Sequence, residues 1–191
     1  MTLGSWLVLG SWLAFIVVWS VAALSAKRNT STTPWWRRGA FRLTVLALLI
    51  VLYGSGVLKL NRAQLALLAH TTSPAVSLLG GVCAVLGIGL AIWARLYLGR
   101  NWGMPQSVKE NPELVTTGPY AYIRHPIYTG MLLALFGSAL ANNPLWYIVA
   151  VAAAVYFVYS AGREEALMAK TFPDTYPAYR TRTKRLIPFL Y

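Results

Sequence analysis

The chain has 191 residues, of which 57% are hydrophobic and only 12% charged, whereas a water-soluble domain carries about a quarter charged residues. With a mean hydropathy of +0.53, this composition excludes an ordinary soluble domain and places the chain in lipid. The net charge of +12 does not indicate nucleic acid, because the basic residues punctuate long apolar runs instead of forming a stripe on a polar domain.

A helix needs about 20 apolar residues to cross a bilayer. Leu3 to Leu24 is the first such run. Ala22-Ala23-Leu24-Ser25-Ala26 looks like a cleavage site, yet Lys27 and Arg28 follow the run instead of preceding it. That is the reverse of a signal peptide, so the segment reads as an uncleaved first helix. Trp35 and Trp36 beside Arg37 and Arg38 read as an interfacial anchor. Phe41 to Leu60 is the second span, and residues 62–74, with His70, are too short to cross and lie along the outer surface. Ala75 to Leu98 is the third, where Gly80, Gly81, Gly87 and Gly89 mark close packing against a neighbour. Cys83 lies in this run as a small hydrophobe, and as the single cysteine it excludes an intrachain disulfide and a cysteine-rich zinc site. Ile127 to Ala141 and Leu145 to Ala161 form a hairpin around Asn142-Asn143-Pro144, with Pro144 in a first helical turn. Gly130, Ala134 and Ser138 give that hairpin one small, packable face.

The fold class is all-α: a polytopic membrane protein with about five transmembrane helices. Of the 17 Lys and Arg residues, only Lys59 and Arg62 fall in the loops of one side. That bias puts the N-terminus outside and the C-terminus in the cytosol, in the inner membrane if the cell is bacterial. The carboxylates Glu110, Glu113, Glu164, Glu165 and Asp174 all fall in the later half. Residues 1–99 therefore read as a three-helix membrane region, and residues 100–191 as the part that carries chemistry.

Two polar knots stand out there. One runs through Asn101-Trp102-Gly103-Met104-Pro105-Gln106 and Glu110 to Tyr120, then into Arg124-His125-Pro126-Ile127-Tyr128. Irregular backbone beside a bilayer is tolerated where it is buried in protein or lines a cavity. The other is Arg163-Glu164-Glu165 at the end of the last apolar run, followed by Phe172-Pro173-Asp174-Thr175-Tyr176-Pro177-Ala178-Tyr179. Adjacent carboxylates at a membrane helix end oppose the helix dipole and are costly when buried, so a cationic ligand or an Arg partner should compensate them. Consecutive helical residues are about 100° apart, so one of the pair should face a pocket and the other solvent or a base such as Arg163 or Lys170.

The run from Leu114-Val115 through Gly118-Pro119-Tyr120 and Arg124-His125-Pro126-Ile127-Tyr128, then Glu164-Glu165 and Phe172 to Tyr179, resembles the isoprenylcysteine carboxyl methyltransferase family. Related phospholipid N-methyltransferases share the pattern, and the likeness covers residues 100–191. It implies a cytosolic pocket for S-adenosyl-L-methionine with access from lipid. Carried over residue by residue, it implies cofactor contacts at Gln106, Pro112, Glu113, Leu114, Val115, Tyr120, His125, Pro126, Ile127, Tyr128 and Glu164. Glu164 is thereby the inward member of its pair. Enzymes of the family that methylate prenylated cysteine carry an Arg four residues before that Glu to contact the substrate carboxylate. Ser160 stands there in this chain, and Arg163 is the candidate substrate contact instead.

The residue chemistry agrees with that implication. Tyrosines and Pro-rich backbone can sandwich an adenine, Arg124 or His125 can take the cofactor carboxylate, and Glu164 can take its amino group or ribose hydroxyls. Methyl transfer is an in-line displacement that needs alignment and a dry site. An amine acceptor would first lose a proton, which gives Glu165 or His125 a base role beside Arg124. No metal site is expected. A sterol- or isoprenoid-reductase-like enzyme binding NADPH on the same scaffold, and a non-catalytic membrane scaffold, are the other readings. The acceptor, a membrane lipid or lipid-linked molecule, and the oligomeric state are left open by the residues.

Overall fold

Five α-helices dominate the computed structural model, which describes residues 2–24, 73–102, 112–142 and 145–188. They are α1 (Leu3–Leu24), α2 (Pro74–Leu98), α3 (Pro126–Ala141), α4 (Leu145–Thr171) and α5 (Tyr176–Arg182), with short 3₁₀ turns at Gly99–Asn101 and Gly118–Ala121. Among the described residues there is no β-strand, only one isolated parallel bridge between Ile123 and Lys184. The expected span Phe41–Leu60, the surface segment 62–72, the Trp35-Trp36 anchor, Gln106, Glu110 and Pro144 lie outside the described residues.

Local chemistry explains the helix starts. Ser73 accepts the Val76 N–H at 3.3 Å and Pro74 occupies the first turn of α2. Pro126 does the same for α3. The end of α4 differs from the expected Ala161, because Arg163 to Lys170 is rich in Glu, Ala, Leu and Met, good helix formers that carry the helix on past its apolar stretch. Glu164 and Glu165 thus sit within the helix, more than a turn before its end. The dipole penalty expected for them falls off within the last turn, so it is not what needs compensating.

Glycine sets the closest packing. A Cβ on Gly80 would lie 2.5 Å from the Ala141 nitrogen, and one on Gly87 would lie 2.5 Å from the Ala134 nitrogen. The backbones of α2 and α3 therefore touch, in antiparallel order. On the small face, Gly130 and Ala134 meet α2 and Ser138 meets Trp12 of α1, while Gly81 packs on Gly4 of α1 and Gly89 meets nothing within 4 Å. Polar staples cross the same seams: Trp12 Nε1 donates to Ser138 Oγ at 3.0 Å, and Ser77 Oγ to the Ala141 carbonyl at 3.0 Å.

Thr2 meets Ser77 at one end of α1 and α2, and Arg95 Nη2 donates to the Ala22 carbonyl at the other, at 2.6 Å. These two helices therefore run parallel. α4 returns antiparallel to α3, with Phe136 against Tyr147 near the turn and Tyr128 against Phe157 further along. The ends of α1, α2 and α4, the start of α3, and α5 with its tail gather on one side. Every Lys and Arg of the described residues belongs to that side. Among the described residues three helices, α1, α2 and α4, are long and apolar enough to cross a membrane, and α3 is a shorter apolar helix.

Candidate active site

At the start of α3, three rings stack in a row. His125 lies on Tyr128 (centroids 5.5 Å apart, planes 6° apart), and Tyr128 lies on Phe157 of α4 (4.5 Å, 9°). The Tyr128 hydroxyl donates to Glu164 Oε1. His125 bridges the acidic pair, with Nδ1 3.5 Å from Glu164 Oε2 and Nε2 3.4 Å from Glu165 Oε1. Nε2 makes no well-aligned hydrogen bond, so that contact is electrostatic. Both ring nitrogens thus face carboxylates, the arrangement that suits an imidazolium. Burial would lower the His125 pKa, but the pull of Glu164 and then Glu165 outweighs it and raises the pKa above the ordinary value.

The two carboxylates diverge, as their helical spacing requires. Glu165 is the buried one, 5% exposed, against 25% for Glu164. Its basic neighbours are neither Arg163 nor Lys170. Arg124 Nε donates to Oε1 at 2.9 Å, while Arg185 grips both oxygens, Nε to Oε1 at 3.0 Å and Nη2 to Oε2 at 2.9 Å. Glu165, expected to face solvent or a base such as Arg163 or Lys170, is instead the more buried of the pair and is held by two other bases. The reason is tertiary: the counter-charges come from the motif and from the tail, not from the helix itself. Arg163 is exposed.

The tail is stitched to the motif by backbone. Arg124 N–H donates to the Lys184 carbonyl at 2.8 Å, His125 N–H to the Arg185 carbonyl at 3.1 Å, and Lys184 N–H to the Tyr122 carbonyl at 3.2 Å. Arg124 Nη1 reaches the Thr183 carbonyl, and Thr129 Oγ1 donates to the Leu186 carbonyl at 2.6 Å. Tyr179 donates to the Tyr120 carbonyl at 2.8 Å.

On the other flank, Pro112, Glu113, Leu114 and Val115 form irregular backbone, half-buried except for the exposed Glu113, which accepts from Asn101 at 3.4 Å. Gly118 adopts φ +59°, and a Cβ there would run into the Tyr97 ring. Tyr120 is buried, and burial, with the charges of Tyr179 and Glu164, pushes its hydroxyl pKa well up. Tyr176, at the start of α5, is likewise pushed up to about 12, chiefly by burial. Arg95, 1% exposed, donates to the Gly99 carbonyl at 2.8 Å and lies over Trp102, 4.6 Å from the ring centroid.

Of the residues singled out from sequence, His125, Pro126, Tyr128, Glu164, Glu165 and Arg124 come together around the head of α3. Ile127 is half-buried beside them, Pro112–Val115 and Tyr120 lie on the adjoining loop, and Gln106 is outside the described residues. Ser160, one turn before Glu164, is fully buried and its hydroxyl has no partner among the described residues. Sequence reasoning missed Arg185, Thr183 and Arg95. Arg180, Arg182, Lys184 and Arg185 crowd one short stretch; a buried acid in need of counter-charge was the signal that could have pointed to them.

An apolar helical bundle with a polar cluster at its basic end defines an integral membrane protein. The chain belongs to the phospholipid methyltransferase family, whose model matches residues 75–175. It is also similar to the cobalt-zinc-cadmium resistance protein CzcN of Cupriavidus metallidurans, 32% identical over 56% of this chain and 48% of that one. A third likeness is to the protein-S-isoprenylcysteine O-methyltransferase of Schizosaccharomyces pombe, 31% identical over 60% of this chain and 49% of that one. The chain spans about half the length of the curated relatives it matches.

Proposed function

We propose that this protein is an integral membrane methyltransferase that uses S-adenosyl-L-methionine to methylate a lipid or lipid-linked acceptor, at a site on the cytosolic side. The observation that carries the reading is the convergence of His125 and Tyr128, from the head of α3, on the partly open carboxylate of Glu164, 36 residues beyond Tyr128 in the chain. The donor set fits such a cofactor. Glu164 keeps enough exposure to receive an amino group or ribose hydroxyls, and Pro112 to Val115 with Tyr120 offers backbone and a ring for an adenine. The cofactor supplies an electrophilic methyl group on a sulfonium.

The chain's own residues then have separable tasks. Tyr128 fixes one oxygen of Glu164 by its hydrogen bond, leaving the carboxylate oriented for the cofactor. His125, with one ring nitrogen facing each carboxylate, bridges Glu164 and Glu165. Glu165 is saturated by Arg124 and Arg185 and acts by positioning, so Arg124 and Glu165 form a structural pair in this reading. Glu165, held by both arginines, is then not free to accept a proton. An acceptor whose lone pair is already free, anionic or neutral, suits the site best.

Binding of labelled S-adenosylmethionine by the purified protein, followed by methyl transfer to total lipid, tests the reading. His125→Ala and Tyr128→Ala should each weaken binding about tenfold or more while the protein stays monodisperse. Binding of NADPH in place of S-adenosylmethionine would replace the proposal with the reductase reading.

A further inference from the structure

Resting on that reading, we propose that Arg185, with the tail segment 183–186 that carries it, is a positioning element of the cofactor site. It acts by holding Glu165, which in turn holds Arg124 and faces His125. The motif points to no residue after Tyr179, and the family match ends at residue 175. Yet the contacts that complete the site come from beyond both.

The geometry is specific. Arg185 meets Glu165 with a two-pronged fork, Nε to Oε1 and Nη2 to Oε2, the strongest form of this pair. Its own carbonyl receives the His125 N–H, so one residue grips the backbone of His125 and the carboxylate behind it. Glu165 is buried, and a buried acid stripped of a partner seeks another. The nearest is His125 Nε2, at 3.4 Å. Without the fork, His125 would be drawn toward Glu165 and away from Glu164, and the orientation of Glu164 and Tyr128 would loosen.

Charge gives a readout that a merely structural role would not move. His125 is faced by Glu164 and Glu165 from α4 and by Tyr128 from α3, and behind it Glu165 is reached by Arg124, by Arg185 of the tail and, at 4.0 Å, by Arg180 of α5. Removing the charge at 185 leaves a more negative surrounding, so the histidine holds its proton more tightly. A lysine at 185 keeps the charge and loses the fork, so a side chain that merely kept the tail folded would make the Lys and Gln variants behave alike.

The chain has two histidines, so a His70→Gln background leaves His125 as the sole NMR titration signal in protein purified on a non-histidine tag. In that background, Arg185→Gln should move the His125 midpoint upward and weaken S-adenosylmethionine binding about tenfold or more. Arg185→Lys, which restores the charge without the fork, should return the midpoint most of the way and recover only part of the affinity. A midpoint that stays put, one that falls toward the ordinary value, or Lys and Gln variants that behave alike would each overturn the proposal. Should Arg185→Gln not purify, Thr129→Val, which removes the bond to Leu186, loosens the same segment. It should weaken binding in the same direction, and unchanged affinity would overturn the proposal. If the unsubstituted protein binds no S-adenosylmethionine, the methyltransferase reading fails, while the histidine titration still decides whether Arg185 governs His125.

Discussion

Glu165 draws its hydrogen bonds from an arginine 41 residues before it and another 20 residues after it. That makes it the residue on which the described basic end depends for cohesion. Removing one side of a buried ion network leaves uncompensated charge and costs about 3–5 kcal/mol. Glu165→Gln should therefore lower the unfolding temperature strongly. Glu164→Gln should leave it nearly unchanged but abolish S-adenosylmethionine binding, and thermal unfolding beside a binding isotherm checks the split. Equal, small effects from both changes would reduce the pair to interfacial solvation. His125 adds a pH dependence of definite sign. Its folded pKa is raised above the ordinary 6.5, so its stabilisation is complete below that value and disappears as pH rises through the folded pKa. Unfolding temperature should fall across that interval, and His125→Gln should lack that component; parallel profiles for the two proteins would refute it.

Among elements, the α2–α3 seam carries the site, because it places the head of α3 against the end of α2. At about 1.5 Å per residue, the 16 residues of α3 reach about 24 Å, short of a bilayer core of about 30 Å. Its place in the bundle thus depends on close backbone contact more than on length. Gly87→Leu should disrupt the fold by about 3 kcal/mol or more, since the clash is with backbone that cannot move aside. Gly89→Ala, which meets nothing, should be neutral or stabilising by up to about 1 kcal/mol. Size-exclusion profiles and unfolding temperatures of the two variants check the contrast. The apolar spacing made the glycines' purpose legible, but not which of them face a neighbour. The extension of α4 to Thr171 went unread for a similar reason: hydropathy records where lipid ends, and helix propensity carries the backbone further.

At the level of the whole molecule, α1 and α2 run parallel, so the chain leaves α1 on the side where α2 ends and must enter α2 on the other. The expected span Phe41–Leu60 would make that return. On the positive-inside bias, we expect the basic side of the bundle to be the cytosolic one. A reporter fused after Tyr191 should be active only in the cytosol, and one inserted near Lys59 only outside; the opposite pattern would invert the topology. Composition and periodicity determined by themselves that the chain lies in lipid and, among the described residues, where its apolar helices run, and they marked two polar knots in the later half. They could do so because hydrophobic length and charge placement are local properties, readable one segment at a time. Which carboxylate is buried, and which arginines neutralise it, was decided only in three dimensions. Arg124, Glu165 and Arg185 meet through the docking of a tail segment on a loop, and no local pattern encodes a contact whose partners are brought together by the packing of other helices.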